Sequence, residues 1–254
     1  MQPLSAFAPI RAFAFPVIGI IFCAALVQTS SCSMPERGKP DTGAVFNQGL
    51  ERSKKGEYAS AIKDFDQLIA INPKDAAAYN ARGFAKYKTN DTSGAIADYS
   101  RALDINPKDQ NSLLMRGLAR QKKGEFAEAL TDLNRAVELK PQDANLLSVR
   151  ASIKGNLRDY PGKIADLTDA IRIAPGESQY YVERGNARTW LGQHENSIPD
   201  YDLAIEKDPK NAEAFFQRGM AKTWSNKNES ACKDFESAAA LGKDVRDARG
   251  RFCK

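Results

Sequence analysis

At 254 residues, 42% hydrophobic and 27% charged, the chain has enough apolar material for one sizeable domain or a short array of repeats. Its 37 Lys and Arg against 32 Asp and Glu give a net charge of +5. The two signs interleave along most of the length, which argues against a nucleic-acid binder, whose basic residues gather on one face with few compensating acids.

Residues 12–27 are an apolar run of 16, preceded by the single charge of Arg11 and followed by small and polar residues. This is the pattern of an export signal; a membrane-spanning helix needs ~20 apolar residues, and Pro16 weighs further against an anchor. Cys23 lies inside the run and leaves with it. Thr29-Ser30-Ser31-Cys32 resembles the lipobox of bacterial lipoproteins, whose cysteine is acylated and becomes the new N-terminus; Ser31 fits, whereas Gln28 and Thr29 stand where aliphatic residues are commoner. Lipidation at Cys32 and ordinary cleavage near Ser31 to Ser33 both stay open, and Ser33 after the cysteine implies the outer membrane by the sorting rule of enteric bacteria. Residues 1–32 are read as the signal and residues 33–41 as a linker.

From there the sequence repeats. Pro73, Pro107, Pro141, Pro175 and Pro209 each lie 34 residues from the next, which sets six units at 42–75, 76–109, 110–143, 144–177, 178–211 and 212–245. Position 8 of the unit is Gly49, Gly83, Gly117, Ala151, Gly185 and Gly219; position 20 is Ala61, Ala95, Ala129, Lys163, Ser197 and Ala231. Small residues at two such points let two helices cross closely. Position 24 holds bulky partners, from Phe65 and Tyr99 to Tyr201 and Phe235, and position 27 returns to alanine after Leu68. Position 15, with Gly56, Asn90, Gly124, Gly192 and Asn226, is the residue type that ends a helix in the left-handed conformation, and only Arg158 dissents. No strand pattern appears.

A 34-residue helix-turn-helix with small residues at 8, 20 and 27 and proline at 32 resembles the tetratricopeptide repeat. The resemblance implies an all-α, right-handed superhelical solenoid whose concave face, lined by first helices, binds extended peptides or partner helices. Residues 246–254 are expected to cap its last edge. The fourth unit, 144–177, is degenerate: Lys163 and Arg158 break the pattern and Pro161 opens its second helix, so the array is expected to bend or loosen there.

Position 7 is Arg82, Arg116, Arg150, Arg184 and Arg218, while position 23 is aspartate in every unit. Because Gln48 replaces the first arginine, each aspartate is expected to pair with the arginine of the following unit: Asp64 with Arg82, Asp98 with Arg116, Asp132 with Arg150, Asp166 with Arg184, and Asp200 with Arg218. Cys232 and Cys253 remain as an even pair; a disulfide closing a loop of about 20 residues and a Cys232 that serves as a core hydrophobe are the two readings.

An enzyme needs a constellation that the repeat does not explain. The one histidine, His194, shares a column with Tyr58, Phe126 and Tyr160 and reads as a packing residue; no zinc-ligand spacing, phosphate loop or nucleophile elbow occurs. No catalytic residue, metal or cofactor is expected. The family's ligand columns, positions 2, 5, 9, 12 and 13, imply a groove with Lys54, Phe84, Tyr87, Lys88, Leu114, Leu118 and Lys122 toward the N-terminus and Trp190, Phe216, Met220 and Trp224 toward the C-terminus. Position 13 thus switches from basic to aromatic, which suits an apolar segment with acidic residues at one end. The expectation is a non-enzymatic adaptor of the bacterial cell envelope, binding a protein or peptide, touching a membrane only through its signal or lipid, and binding no nucleic acid. The alternative is a self-associating structural subunit of an envelope or secretion assembly.

Overall fold

The structure, a computed structural model, describes residues 41–253. Among them are thirteen helices and no strand. Twelve form six hairpins: α1 (Thr42–Lys54) with α2 (Tyr58–Ile71), α3 (Ala76–Lys88) with α4 (Thr92–Ile105), α5 (Gln110–Lys123) with α6 (Phe126–Leu139), α7 (Ala144–Asn156) with α8 (Tyr160–Ile173), α9 (Ser178–Trp190) with α10 (His194–Lys207), and α11 (Ala212–Trp224) with α12 (Asn228–Ala240). A short α13 (Arg246–Phe252) ends the array. Each first helix begins at the residue where a 34-residue unit begins. The signal segment, Cys32 and the linker up to residue 40 lie outside the described residues.

Three local devices cut the chain at these places. First helices start after Asp41, Asp75, Asp109, Asp143 and Asn211, whose side-chain oxygens accept the backbone N–H three residues on at 3.0–3.1 Å. Such caps satisfy donors that have no partner in the helix. First helices end at position 15, which takes a positive φ in all six units, Arg158 included at 61°. The next residue's N–H then reaches back to the position-11 carbonyl at 2.8–2.9 Å, as in Glu57 to Arg52 and Lys227 to Lys222. Second helices of the first five units stop before the residue that precedes proline, such as Asn72 at φ −130°, because the proline ring excludes helical backbone there.

Arg158 adopts the left-handed turn without the freedom of glycine, at a cost of about 1–2 kcal/mol. Arg158→Gly is expected to raise stability by about 0.5–1 kcal/mol, the strain relieved less the added freedom of the unfolded chain. Urea unfolding checks this; a loss of stability would show that the arginine side chain contributes more than its backbone costs.

The core follows the small-large columns. A Cβ added at Gly83 would lie 2.9 Å from the Tyr99 ring, and one at Gly219 2.6 Å from Phe235, so each ring fills the space that its glycine vacates. Ala61, Ala95, Ala129 and Ala231 at position 20, and Ala102, Ala136, Ala170, Ala204 and Ala238 at position 27, are fully buried. The apolar clusters run on from hairpin to hairpin, with Tyr180 of the fifth unit packed against the core of the third and fourth.

In the fourth unit the Lys163 stem lies over Gly155, where a Cβ would stand 3.2 Å from the lysine Cδ, and its amino group reaches Glu183 of α9 at 3.2 Å. An ion pair thus spans the boundary at the degenerate unit. The direct contact between successive first helices, present for α1/α3, α3/α5, α5/α7 and α9/α11, has no comparable counterpart between α7 and α9. The contact of α8 with α9 at that step is as extensive as that of α2 with α3.

Helix α13 begins at Arg246, 34 residues after Ala212, where a seventh unit would start, and stops after two turns. Val245 and Ala248 bury against the last core, and a disulfide joins Cys232 of α12 to Cys253 with Cα atoms 5.6 Å apart. Of the two readings of Cys232, the structure has the bonded one.

Candidate functional site

Successive first helices touch at every step but α7 to α9, while no comparable contact joins successive second helices, so the first helices line the inside of the curve. The inner wall has two parts of different chemistry. In the N-terminal part, Phe46, Leu50 and Phe84 form the apolar lining of a concavity of about 910 Å³, with Lys54 and Lys88 also bordering it. On its far side the Asn80 amide donates to Ser112 at 2.7 Å and its oxygen accepts from Asn111 at 3.0 Å, a polar edge that the sequence columns did not single out. Tyr58, Met115 and the Asp109 carboxylate are also part of the lining.

The three position-13 lysines differ in their partners. Lys54 pairs with Glu51 at 2.6 Å, whereas Lys122 lies 4.8 Å from the centre of the Tyr87 ring and donates to the Asn90 amide oxygen at 2.7 Å. Lys88 sits 5.4 Å from the Phe84 ring centre. Among the described residues neither Lys88 nor Lys122 has a carboxylate partner, which leaves two positive charges on this part of the wall.

In the C-terminal part Trp190 is 73% exposed and Trp224 47%. Each is backed by the position-17 residue of the preceding second helix: Tyr160 lies parallel to Trp190 within 3° at 6.0 Å, and His194 packs on Trp224 at 4.7 Å. The two indoles border one hollow of about 400 Å³ with Asn186, Thr189, His194 and Gln217. The buried Nδ1 of His194 has no hydrogen-bond partner.

Leu114, Leu118, Phe216 and Met220, also on first helices, border neither hollow. Phe216 and Met220 are half-buried and pack against the last hairpin's core, with the Phe216 ring 5.9 Å from Phe235, much as Phe46 and Leu50 pack against the core of the first. Leu114 packs against the core of the third and fourth units, and Leu118 is half-buried outside the hollows.

Behind the wall runs the ion-pair network, and its order corrects the expectation. Arg82 holds Asp98 at 2.9 and 2.6 Å, and Arg116 holds Asp132, Arg150 holds Asp166, Arg184 holds Asp200 and Arg218 holds Asp234 in the same way, all within one unit. The position-11 base adds a second bond, as Lys86 does to Asp98 at 2.9 Å and Arg120 to Asp132 at 2.6 Å. Asp64, which has no position-7 partner, takes both bonds from Arg52 at 2.5 and 2.7 Å. The close crossing at positions 8 and 20 sets positions 7 and 23 of one hairpin side by side, and so the pairing stays inside the unit. The position-7 guanidinium does reach the preceding unit, but at position 25: Asp66 from Arg82, Ser100 from Arg116, Asn134 from Arg150, Thr168 from Arg184 and Asp202 from Arg218. Hydrogen bonds to Asp98 hold Arg82 above its ordinary range, against the opposing pull of burial. Burial pushes the Tyr201 phenol up to about 12, and its hydroxyl donates to Asn186 at 2.8 Å.

Among the described residues no group of His, Cys, Asp and Glu is placed to hold a metal, and no helix is long and apolar enough to cross a membrane. Family models for this architecture match three stretches: TPR repeat at residues 49–90 and tetratricopeptide repeat at 76–109 and 111–143. The chain carries tetratricopeptide repeats. The later hairpins continue the same register and fold. Solved structures similar to the chain include YrrB, described as a TPR protein with an unusual peptide-binding site, at 19% identity and a TM-score of 0.63 over 73% of this chain and 96% of that one. MamA matches at 23% identity and 0.61 over 66% and 96%, and the C-terminal part of a TPR repeat-containing protein from Cytophaga hutchinsonii at 19% and 0.69 over 80% of each. At these identities the likeness shows the fold. No curated protein sequence matches the chain.

Proposed function

We propose that the chain is a non-enzymatic adaptor that holds an extended segment of a protein partner against its inner wall of tetratricopeptide first helices and works in the bacterial cell envelope. The carrying observation is the wall itself: a 910 Å³ apolar concavity and two exposed indoles on one side of the array, with Lys88 and Lys122 between them free of any carboxylate among the described residues. Such a surface suits an apolar segment with acidic residues toward the N-terminal end of the array. The peptide-binding site named for YrrB is consistent with this reading. The envelope assignment rests on the apolar run at residues 12–27, on Cys32, and on a disulfide of the kind that persists in oxidising compartments.

Crosslinking in intact envelopes tests both parts. The natural chain is expected to give a discrete partner adduct from the inner wall, and Lys88→Glu with Lys122→Glu to weaken that capture about tenfold, since each exposed attraction of up to about 1 kcal/mol becomes a repulsion. Adducts formed only through second helices, or a chain recovered wholly with cytosolic proteins, would sink the reading.

A further inference from the structure

The C-terminal part of the wall has a chemistry that narrows the partner. Trp190 and Trp224 occupy the same position in adjacent units, both are exposed, and both border one hollow whose remaining lining is Asn186, Thr189, His194 and Gln217. No Asp, Glu, Lys or Arg lines it, so nothing there recognises a charged ligand, in contrast to Lys88 and Lys122 further along the wall. The amides are half engaged: Asn186 accepts from Tyr201 through its oxygen at 2.8 Å, leaving its NH₂ as a donor, and Gln217 donates to Glu213 at 2.7 Å, leaving its oxygen as an acceptor.

The spacing then selects a backbone. α9 and α11 are in direct contact, so equivalent backbone positions on them lie about 8–10 Å apart, one interaxial distance, and the two indoles they carry border the same hollow. A polyproline II strand rises ~3.1 Å per residue with three residues per turn, so residues i and i+3 lie on one side about 9 Å apart. Its carbonyls make no internal hydrogen bonds and seek donors such as indole N–H and the Asn186 amide. A flat indole face offers a surface for a proline ring, and the rigid strand loses little entropy on docking.

We infer that the Trp190–Trp224 pair is a docking site for a proline-rich segment in the polyproline II conformation, with prolines at i and i+3, whose acidic flank lies on Lys88 and Lys122. This deepens the adaptor reading and rests on it for the flank alone.

The two indoles are the chain's only tryptophans, so intrinsic fluorescence reports this site directly. The full chain is titrated with a synthetic peptide bearing an acidic block followed by prolines at i and i+3, and with an isomer of the same composition with prolines at i and i+2. The first is expected to shift the emission and to bind at least about tenfold more tightly, with Trp224→Ala and Trp190→Ala each removing about tenfold and Trp190→Phe keeping most of the affinity. Lys88→Glu is expected to weaken both isomers alike. Circular dichroism of each variant establishes that it is folded. Equal binding of the isomers with the Lys88→Glu loss intact would overturn the proline site and leave the adaptor reading standing. A register preference that ignores Lys88→Glu would uphold the proline site and remove the acidic flank. A neutral oligosaccharide that shifts the emission where neither peptide does would also overturn the inference.

Discussion

Asp200→Ala is expected to cost about 3 kcal/mol, one of the largest effects any single substitution in the array should have. The carboxylate is 1% exposed and takes bonds from Arg184 Nη2 at 2.7 Å and Arg188 Nη1 at 2.8 Å, with Arg184 Nε at 3.2 Å. Removing it leaves two guanidinium groups facing each other across a space that the carboxylate had filled. Breaking a fully buried pair costs roughly 3–5 kcal/mol; the side chains of Arg184 and Arg188 retain 13% and 26% exposure, so water relieves part of it and the lower end applies. The shift in thermal midpoint should be roughly 6–12 °C. Asp200→Asn, which keeps the shape and one acceptor, should cost less than Asp200→Ala. Replacing Arg184 and Arg188 by Met together with Asp200→Leu should recover most of the loss, since apolar groups of similar volume remove the desolvation cost along with the attraction. In the exposed Asp169–Arg172 pair, Asp169→Ala should produce no measurable change. A loss below about 1 kcal/mol at Asp200 would mean that the network is solvated like a surface pair, and its role in register would have to be abandoned.

The same network shows what a repeated sequence does and does not encode. Columns of arginine and aspartate are visible without a structure, and so were hairpin boundaries, turn residues and the crossing of small residues, because each is a local or same-unit property. Which arginine meets which aspartate is a matter of phase between columns. A strict period of 34 leaves that phase undetermined: Asp98 lies 16 residues after Arg82 and 18 before Arg116, and both partners recur in every unit. Gln48 seemed to settle the question, yet Asp64 is satisfied by Arg52, four residues further along the same helix. The groove divides in the same way. The position-13 column pointed to Trp190 and Trp224, which are exposed, whereas Phe216 and Met220, taken from positions 5 and 9, pack half-buried against the last hairpin's core. The capping column of Asp75, Asp109, Asp143 and Asn211 was open to view and marks the same helix starts as the prolines, except at Glu177, which makes no such cap.

Reduction of Cys232–Cys253 is expected to release α13 and to cost the last hairpin about 3 kcal/mol, from a loop with sequence separation 21 in the chain-entropy model. α13 has seven residues, too few to persist as an isolated helix, and its packing neighbour is α12. Once freed it uncovers the last core, where Val245, Ala248 and Phe252 lie beside Phe235. In a solenoid each unit contacts only its neighbours, so the damage should decay along the array. Hydrogen exchange resolves this: the Arg249 and Cys253 amides, bonded to Val245 and Arg249 at 2.9 Å, should lose protection on reduction, α11 and α12 should lose part, and α1 to α6 none. The serine variants of either cysteine should behave as the reduced chain does. Retained protection at Arg249 and Cys253 would mean that apolar contact alone holds the cap, and an equal loss across all six hairpins would mean that the array unfolds as one unit and not as a chain of neighbours.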